Sequence, residues 1–141
     1  MPPMARWLLK TEPDSYPYAD LEREGRAVWD GIANALAQKH LRAVRTGDEC
    51  LIYHTGGEKA VVGLARAVSD PYPDPGKPGL AVFDVEPRGR LPQPVTLAAI
   101  KADPAFAGWE LVRMSRLSVM PVPDPVWRKL RTMAGLPASS K

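Results

Sequence analysis

The sequence predicts an α+β fold, a mixed β pseudo-barrel of five to six short strands with three to four peripheral helices. A chain of 141 residues is long enough for one domain with its own core. Its 16 prolines are spread along the chain, which favours many short elements over a helical bundle. Strand patterns do not alternate regularly with long helices, so a doubly wound parallel sheet is disfavoured. We expect residues 1–141 to form a single domain, with flexible tails at 1–5 and 135–141.

The N-terminal quarter predicts a strand, a helical turn and a second extended piece. The apolar run at residues 7–9 is ended by charge and proline, which is typical of a buried strand. Ser15 or Pro17 opens a helical turn that Gly25 ends. Residues 28–31 then read as a short strand that turns at a glycine.

The strongest helical pattern spans residues 34–44. Leu36, His40, Leu41 and Val44 recur at helical spacing, and intervening alanines favour the same state. The opposite face of this helix is basic, a pattern that fits either a solvated surface or a track for phosphates. Its cations are Lys39, Arg42 and Arg45.

Strands dominate the middle of the chain. Residues 49–54 and 60–68 are two apolar runs around a glycine turn, which predicts a hairpin. The proline-rich stretch 70–78 reads as an ordered loop, and residues 81–86 alternate with the period of a half-exposed strand.

The C-terminal part predicts a short helix, a last strand and a closing helix. Thr96 caps the first helix, which runs to residue 101, and residues 117–122 form the strand. Asp124 then caps the closing helix, with Pro125 at its first position.

Charge and cysteine content indicate the compartment and the partners. The net charge is +3 with an isoelectric point near 9.2, which permits a polyanionic partner without requiring one. The single cysteine, Cys50, lies in an apolar run and is expected to be a buried packing residue in a reducing compartment. No apolar run reaches the roughly 20 residues of a membrane span, and the start lacks the pattern of a secretory signal. We therefore expect a cytoplasmic protein with no membrane association; the sequence does not determine the oligomeric state, and a monomer is favoured.

Motifs for catalysis, metals and cofactors are missing. There is no phosphate-cradling glycine loop, no dinucleotide fingerprint and no nucleophile elbow. Two histidines and one cysteine do not fit the spacing of a zinc site. Cys50 and His54 stand too far apart on one strand, at about 3.3 Å per residue, to form a nucleophile and its base. The sequence predicts no catalytic residue, no metal and no cofactor.

Aromatic and polar side chains at the ends of elements indicate a different chemistry. Trp29, Tyr53 and Tyr72 each stand beside hydrogen-bonding groups, as a pocket for a planar base requires. Stacking contributes about 1–3 kcal/mol per base, and edge contacts select which base is held. For each aromatic taken alone, a place in the core is the competing interpretation.

Five blocks of the sequence, in order and in register, resemble the EVE domain family of the PUA-like superfamily. They are WLLKTEPDSYPYADL, VWDGIANALAQKHLRAVRTGDECLIYHT, AVVGLARAVSDPYPD, FDVEP and SRLSVMPV. The resemblance implies a PUA-like pseudo-barrel and a non-enzymatic reader of modified nucleobases in DNA or RNA, related to the YTH domains that hold methylated adenine in an aromatic cage. Relatives are proposed to recognise modified cytosines. The partner is therefore expected to be nucleic acid carrying a modified base.

Matched position by position, the resemblance also implies the site. The expected ligand-binding residues are Lys10, Thr11, Glu12, Trp29, Asp30, Asn34, Tyr53, His54, Thr55, Tyr72, Arg116 and Ser118. Trp29 is expected to stack on the base with Tyr72 or Tyr53 opposite, and Glu12 to accept from an exocyclic amino group. The phosphate contacts are expected to be Lys39, Arg42 and Arg45.

Several positions depart from the family pattern, Gln38, Lys39 and Leu80 among them, and two other functions stay open. Ala33 and Ala35 replace an arginine and an aromatic residue that the family commonly has. One alternative is a nucleoside or small-molecule hydrolase that uses Glu12, His54 or Asp30 in the same pocket. The other is a protein-interaction adaptor whose pocket is vestigial.

Overall fold

Seven strands form one curled mixed sheet in the computed structural model, which describes residues 5–136. The strands are β1 (Arg6–Thr11), β2 (Ala27–Trp29), β3 (Glu49–His54), β4 (Ala60–Ala67), β5 (Tyr72–Pro73), β6 (Ala81–Thr96) and β7 (Val119–Pro121). The helices are α1 (Tyr18–Glu24), α2 (Ala35–Leu41), α3 (Leu97–Lys101), α4 (Glu110–Arg113) and α5 (Asp124–Met133), with a 3₁₀ turn at Pro104–Phe106. The predicted fold class is confirmed: the sheet is a half-barrel with helices around it.

The strand order is β2-β6-β4-β3-β1-β7, with β5 paired to β6. The β1–β3 pair is parallel, and the other pairs are antiparallel. The predicted hairpin is β3–β4. In the centre of the sheet Leu8 lies opposite Leu51 on one side and Met120 on the other, and Leu8 and Met120 are fully buried. β1 is therefore a core strand whose carboxyl end reaches the surface at Thr11.

β6 curls the sheet. It is 16 residues long, and its register with β4 shifts at two places, one of them beside Gly89, whose φ is 127°. Bulges of this kind bend a strand and increase its twist. The sequence predicts a strand only to residue 86 because prolines follow at 87, 92 and 94. Because of the bulges, β6 continues past these three prolines.

Tyr18 links β4 to β6 at this bend. Its hydroxyl donates to the carbonyl of Leu64 (2.6 Å) and accepts from the Gly89 N–H (3.1 Å), so it joins β4 to β6. Gly63 leaves room for the ring, since a Cβ there would lie 2.5 Å from Tyr18 Cε1. The pair explains why a glycine stands within a buried strand.

Helix α2 is tied to both the loop before it and the start of β6. Asn34 caps the helix, its Oδ1 accepting from the Ala37 N–H (2.9 Å). Gln38 is buried; its amide donates to the carbonyls of Ile32 (2.7 Å) and Ala81 (3.0 Å) and accepts from the Ala81 N–H (2.9 Å). These bonds fix the segment at residues 30–34.

The ends of the helices refine the sequence prediction. The helix predicted over 34–44 ends at Leu41, and α4 is not predicted. Thr96 caps α3 as predicted, through its hydroxyl and the Ala99 N–H (3.1 Å). Asp124 is the first residue of α5, and Pro123 occupies the cap position without a side-chain bond. Of the predicted tails, 1–4 and 137–141 lie outside the described residues. Within residues 5–136, no helix has the length and apolarity to cross a membrane.

Candidate functional site

A cavity of about 450 Å³ opens at the carboxyl end of β1. It is lined by Lys10, Thr11, Tyr16, Glu24, Arg26, Ala27, Val28, Trp29, Asp30 and Ile32. We call it the Trp29 pocket. Its volume falls in the range of pockets that hold small ligands. Of the predicted site residues it brings together four, Lys10, Thr11, Trp29 and Asp30.

Two aromatic rings form a corner of the Trp29 pocket. The ring centroids of Trp29 and Tyr16 are 6.3 Å apart and their planes make an angle of 77°, an edge-to-face arrangement. Trp29 is only 6% exposed because it lies opposite Phe83 on β6 and packs into the core. It therefore belongs to both the core and the wall of the cavity.

Tyr16 is a pocket residue that the sequence prediction missed. The carbonyl of Glu12 accepts from the N–H groups of Ser15 (3.0 Å) and Tyr16 (2.8 Å), which turns the chain back after β1. The Thr11 hydroxyl donates to the Tyr16 carbonyl (2.8 Å). The signal was available: an aromatic residue in a loop just after a strand that ends in polar residues.

The Tyr16 hydroxyl is held by a carboxylate at the rim. It donates to Glu24 Oε1 at 2.6 Å. Burial and this hydrogen bond raise the pKa of Tyr16 well above its usual value. Tyr16 is therefore a neutral phenol at physiological pH, and it presents a ring rather than a charge to the pocket.

Lys10 and Asp30 are two of the four charged residues that line the Trp29 pocket; the others, Glu24 and Arg26, are engaged by Tyr16 and Asp84. Lys10 Nζ donates to the carbonyl of Ser115 (2.9 Å) and lies 5.5 Å from the centroid of the Tyr53 ring. Burial lowers the pKa of Lys10. Asp30 is exposed, and among residues 5–136 its carboxylate has no hydrogen-bond or ion-pair partner. The pocket thus contains the Lys10 ammonium group, fixed by a hydrogen bond, and the Asp30 carboxylate, which is available as an acceptor. Both stand beside the rings of Trp29 and Tyr16.

A second cavity of about 720 Å³ lies along α2 and the proline-rich loop, and we call it the Tyr72 groove. Its lining residues are Arg42, Arg45, Asp70, Pro71, Tyr72, Pro73, Gly79, Leu80 and Ala81. A smaller hollow of about 490 Å³ shares Arg42, Gly79 and Leu80 with it and extends to Ala33 and Ala35, which replace the arginine and the aromatic residue common in the family. Ala33 follows directly after Ile32 of the Trp29 pocket. The Tyr72 groove and this hollow, which share three lining residues, form one surface, and the loop before α2 connects it to the Trp29 pocket.

The three predicted phosphate contacts lie on this surface. Arg42 donates to the Gly79 carbonyl (2.7 Å), and Arg45 donates to the carbonyls of Arg42 (2.9 Å) and Val44 (2.7 Å). Within the described part of the chain, neither these arginines nor Lys39 forms an ion pair with a carboxylate. Their charges are thus not neutralised by salt bridges.

Tyr72 does not stand opposite Trp29 as the sequence predicts. Its hydroxyl donates to Asp84 Oδ1 (2.6 Å), while the other carboxylate oxygen accepts from Arg26 (2.9 and 3.2 Å). Arg26 lines the Trp29 pocket and Tyr72 lines the Tyr72 groove, so Asp84 bridges the two cavities.

Glu12, Tyr53 and His54 do not line the Trp29 pocket either. The Glu12 side chain is exposed, and it is the backbone of this residue that shapes the pocket. Tyr53 is 3% exposed, so it presents no face to a base. His54 is buried: Nε2 accepts from the Tyr18 N–H (3.0 Å) and Nδ1 is 2.7 Å from Glu58. With both ring nitrogens occupied, His54 has none to offer a substrate, which removes support for the hydrolase.

The remaining predicted residues surround the pocket without lining it. The Thr55 N–H donates to the Thr11 carbonyl, and the Ser118 carbonyl accepts from the Lys10 N–H, each at 3.0 Å. These bonds hold the end of β1 from both sides. Asn34 and Arg116 line a separate hollow of about 320 Å³.

Candidate metal ligands and the single cysteine lie as follows in the described residues. No cluster of three histidine, cysteine or acidic side chains occurs within residues 5–136. Cys50 is fully buried, and burial raises the pKa of its thiol, so it is an inert packing residue as the sequence predicts.

A curled mixed sheet with an aromatic-walled pocket at the end of its first strand defines a PUA-like domain. The sequence pattern of one family within this class, the EVE domain, matches residues 5–133. The chain belongs to the EVE domain family.

Related proteins share the domain and its fold. Human thymocyte nuclear protein 1 is 33% identical over 82 residues, which are 50% of this chain and 36% of that protein. The match thus spans about a third of the length of this curated relative. Two bacterial structures, Rpa0253 from Rhodopseudomonas palustris and Atu2648 from Agrobacterium tumefaciens, superpose with TM-scores of 0.89 and 0.91. They are 36% and 30% identical, over 94% and 97% of this chain and 94% and 99% of theirs.

A further structure is that of the human THYN1 protein in complex with DNA containing 5-methylcytosine. It superposes with a TM-score of 0.85 over 92% of this chain and 97% of that one. At 22% identity, this likeness establishes the shared fold.

Proposed function

We propose that this protein binds a modified nucleobase of DNA, 5-methylcytosine in the first instance, flipped out of its strand into the Trp29 pocket. The observation that carries the proposal is the pocket's composition: an aromatic corner, a free carboxylate and a held ammonium around about 450 Å³. The structure of human THYN1 protein with 5-methylcytosine DNA supports the choice of base.

Each wall of the pocket has a role in this proposal. Trp29 and Tyr16 contact the faces and edge of the base. Asp30 accepts from the exocyclic amino group of cytosine, a contact worth about 1–3 kcal/mol of discrimination against a base that lacks it. Val28, which is 48% exposed and lines the pocket, provides apolar surface for a methyl group.

The DNA strand that carries the flipped base runs along the protein surface toward the Tyr72 groove. Lys39, Arg42 and Arg45 meet its phosphates there, since they are exposed and not paired with carboxylates within residues 5–136. Contacts of this kind make affinity fall steeply with salt.

A binding comparison tests the proposal. The experiment measures, by fluorescence anisotropy, the binding of matched oligonucleotides that contain 5-methylcytosine or cytosine. The proteins are wild type, Tyr16→Ala and Trp29→Phe. Wild type is expected to prefer the methylated strand, and both variants to lose most of that preference. Trp29→Phe is used because Trp29→Ala would leave a core cavity, at a cost of about 3–5 kcal/mol.

The control is Tyr72→Ala, which removes an aromatic residue outside the Trp29 pocket. It is expected to keep the preference for the methylated base. A Tyr72→Ala protein that loses the preference while Tyr16→Ala keeps it would move the base site to the Tyr72 groove. Equal binding of both strands by wild type would refute modified-base recognition.

We propose that the pocket binds without catalysis. No histidine or cysteine is among its lining residues. Incubation with 5-methyl-2′-deoxycytidine, followed by chromatography, is expected to return the nucleoside unchanged. Product formation that Asp30→Asn abolishes would instead support the hydrolase.

A further inference from the structure

Another cavity, of about 470 Å³, lies at the opposite end of β1. We call it the Trp127 groove; it is lined by Arg6, Gly47, Glu49, Leu64, Ala65, Arg66, Arg88 and Trp127. Arg6 begins β1, whereas Lys10 of the Trp29 pocket stands four residues later, about 13 Å along an extended strand. The two cavities share no lining residue.

Two guanidinium groups in the Trp127 groove have no partner among residues 5–136. Arg66 on β4 and Arg88 on β6 are both exposed, and neither side chain forms a hydrogen bond or ion pair with another residue between 5 and 136. Glu86 lies opposite Arg66 in the sheet register but forms no ion pair with it in this part of the chain. The groove therefore presents two arginines whose charge no carboxylate in contact neutralises.

The third arginine is fixed in place. Arg6 bonds to Glu49 (3.2 Å) and Asp124 (2.8 Å), and its guanidinium carbon lies 4.9 Å from the Trp127 ring centroid. The two ion pairs neutralise the charge of Arg6, and its contact with the ring fixes the position of the indole. The wall is thus rigid on the Arg6 side and open to a ligand on the side of Arg66 and Arg88.

Trp127 forms the apolar wall of the groove beside these arginines. Trp127 is 2% exposed, and its Nε1 has no hydrogen-bond acceptor among the described residues. A buried donor without an acceptor costs about 1–3 kcal/mol and is rare in folded proteins. Because this nitrogen has almost no accessible surface, the indole contributes the wall of the groove, and its resonance can report on a ligand bound beside it.

We infer that the Trp127 groove binds a phosphate group. Guanidinium groups pair with phosphate oxygens through two parallel hydrogen bonds, and their planar fork favours phosphate over a spherical anion. Arg66 and Arg88 form these bonds, and Leu64, Ala65 and the indole line the cavity beside them. The phosphate belongs either to a nucleic-acid backbone or to a small phosphorylated compound.

A titration monitored by NMR tests the inference. We record ¹H–¹⁵N spectra of the full chain during addition of sodium phosphate at constant pH, with sodium chloride of equal ionic strength as the ionic control. Phosphate is expected to shift the Trp127 indole resonance saturably, and chloride is not. The double variant Arg66→Gln/Arg88→Gln is expected to weaken the binding at least tenfold, whereas Arg128→Gln, an exposed arginine of α5 outside the groove, leaves it unchanged.

The same variants on duplex DNA identify the source of the phosphate. If the double variant lowers DNA affinity and leaves the preference for the modified base intact, the groove holds a backbone phosphate. If DNA affinity is unchanged, the groove holds a free phosphorylated compound. A non-saturable response to phosphate, an equal response to chloride, or an equal shift in the double variant overturns the inference. These results do not depend on whether the Trp29 pocket recognises a modified base.

Discussion

Asp84 is the residue through which the Trp29 pocket and the Tyr72 groove are joined. One carboxylate oxygen accepts from the Tyr72 hydroxyl and the other from Arg26. Partial burial by itself would raise the pKa of Asp84, but these hydrogen bonds lower the pKa below its usual value. Asp84 is therefore ionised at physiological pH and restrains a side chain on each cavity.

The Tyr72–Asp84 hydrogen bond makes the free energy of unfolding decrease at alkaline pH. The hydrogen bond to Asp84 is the main cause that raises the pKa of Tyr72 to about 12. Between pH 10 and 12 the unfolded chain loses this proton and the folded chain keeps it, so the free energy of unfolding falls as pH rises. Tyr72→Phe is expected to make this fall shallower, as measured by urea denaturation across that pH window. An unchanged slope in Tyr72→Phe would contradict the assignment.

Glu12 and Tyr16 show where residue-level prediction succeeds and where it stops. The sequence correctly indicates that polar residues end β1 at the surface, but it assigns the pocket to the Glu12 side chain. The turn that Glu12 forms through its carbonyl sends that side chain to solvent and brings Tyr16 to Trp29. Which side chain a turn presents depends on its backbone hydrogen bonds, and residue types alone do not specify these.

At the scale of elements, the bend of β6 depends on the fit between Tyr18 and Gly63. Gly63→Ala places a methyl group within the Tyr18 ring, and the ring is held by bonds to β4 and β6. We expect a loss of about 1–3 kcal/mol, which is typical of overpacking in a core, and a lower Tm.

The matched control for that change is Gly57→Ala. Gly57 lies in the turn between β3 and β4, with nothing within 4 Å of its Cβ position and no positive φ. Its Tm is expected to stay within a degree or so of wild type, since surface changes of this kind are usually within about 0.5 kcal/mol. Equal losses in both variants would show that Tyr18 is not the cause.

Helix α2 holds its preceding loop through the Gln38 amide. Gln38→Met keeps the volume of the side chain but leaves the Ile32 carbonyl and both polar groups of Ala81 without this partner. At about 1–3 kcal/mol for each unsatisfied group, we expect a loss of at least ~2 kcal/mol in a denaturation experiment. Lys39→Met, the same replacement at the exposed neighbour, is expected to have little effect. Comparable losses would exclude the hydrogen bonds as the reason.

At the scale of the whole molecule, the surface from the Trp29 pocket to the Tyr72 groove forms the basic path of the proposed nucleic-acid interface. Arg42→Gln/Arg45→Gln is expected to lower DNA affinity and to reduce the slope of log K against log salt by about 1.4–1.8, at 0.7–0.9 for each phosphate contact. Anisotropy titrations at several salt concentrations measure that slope.

Two basic residues outside this path provide the control. Lys101→Gln/Arg128→Gln removes the same formal charge from α3 and α5, where neither residue lines the Trp29 pocket or the Tyr72 groove. Its slope is expected to match that of wild type. An equal reduction in both double variants would indicate an effect of net charge rather than phosphate contacts.

Hydrophobic period and turn chemistry, which act over a few neighbouring residues, are enough to predict the fold class, most of the element order and the packing role of Cys50. Short motifs shared with the EVE domain family imply the four pocket residues, which lie at the end of β1, at the end of β2 and just after β2. The tertiary structure decided which aromatic stands against Trp29, why Gly63 and Gln38 stand where they do, and that Tyr53 and His54 are buried. Each of these depends on contacts between residues distant in sequence. Such contacts exist only once β6 has bent and the sheet has curled.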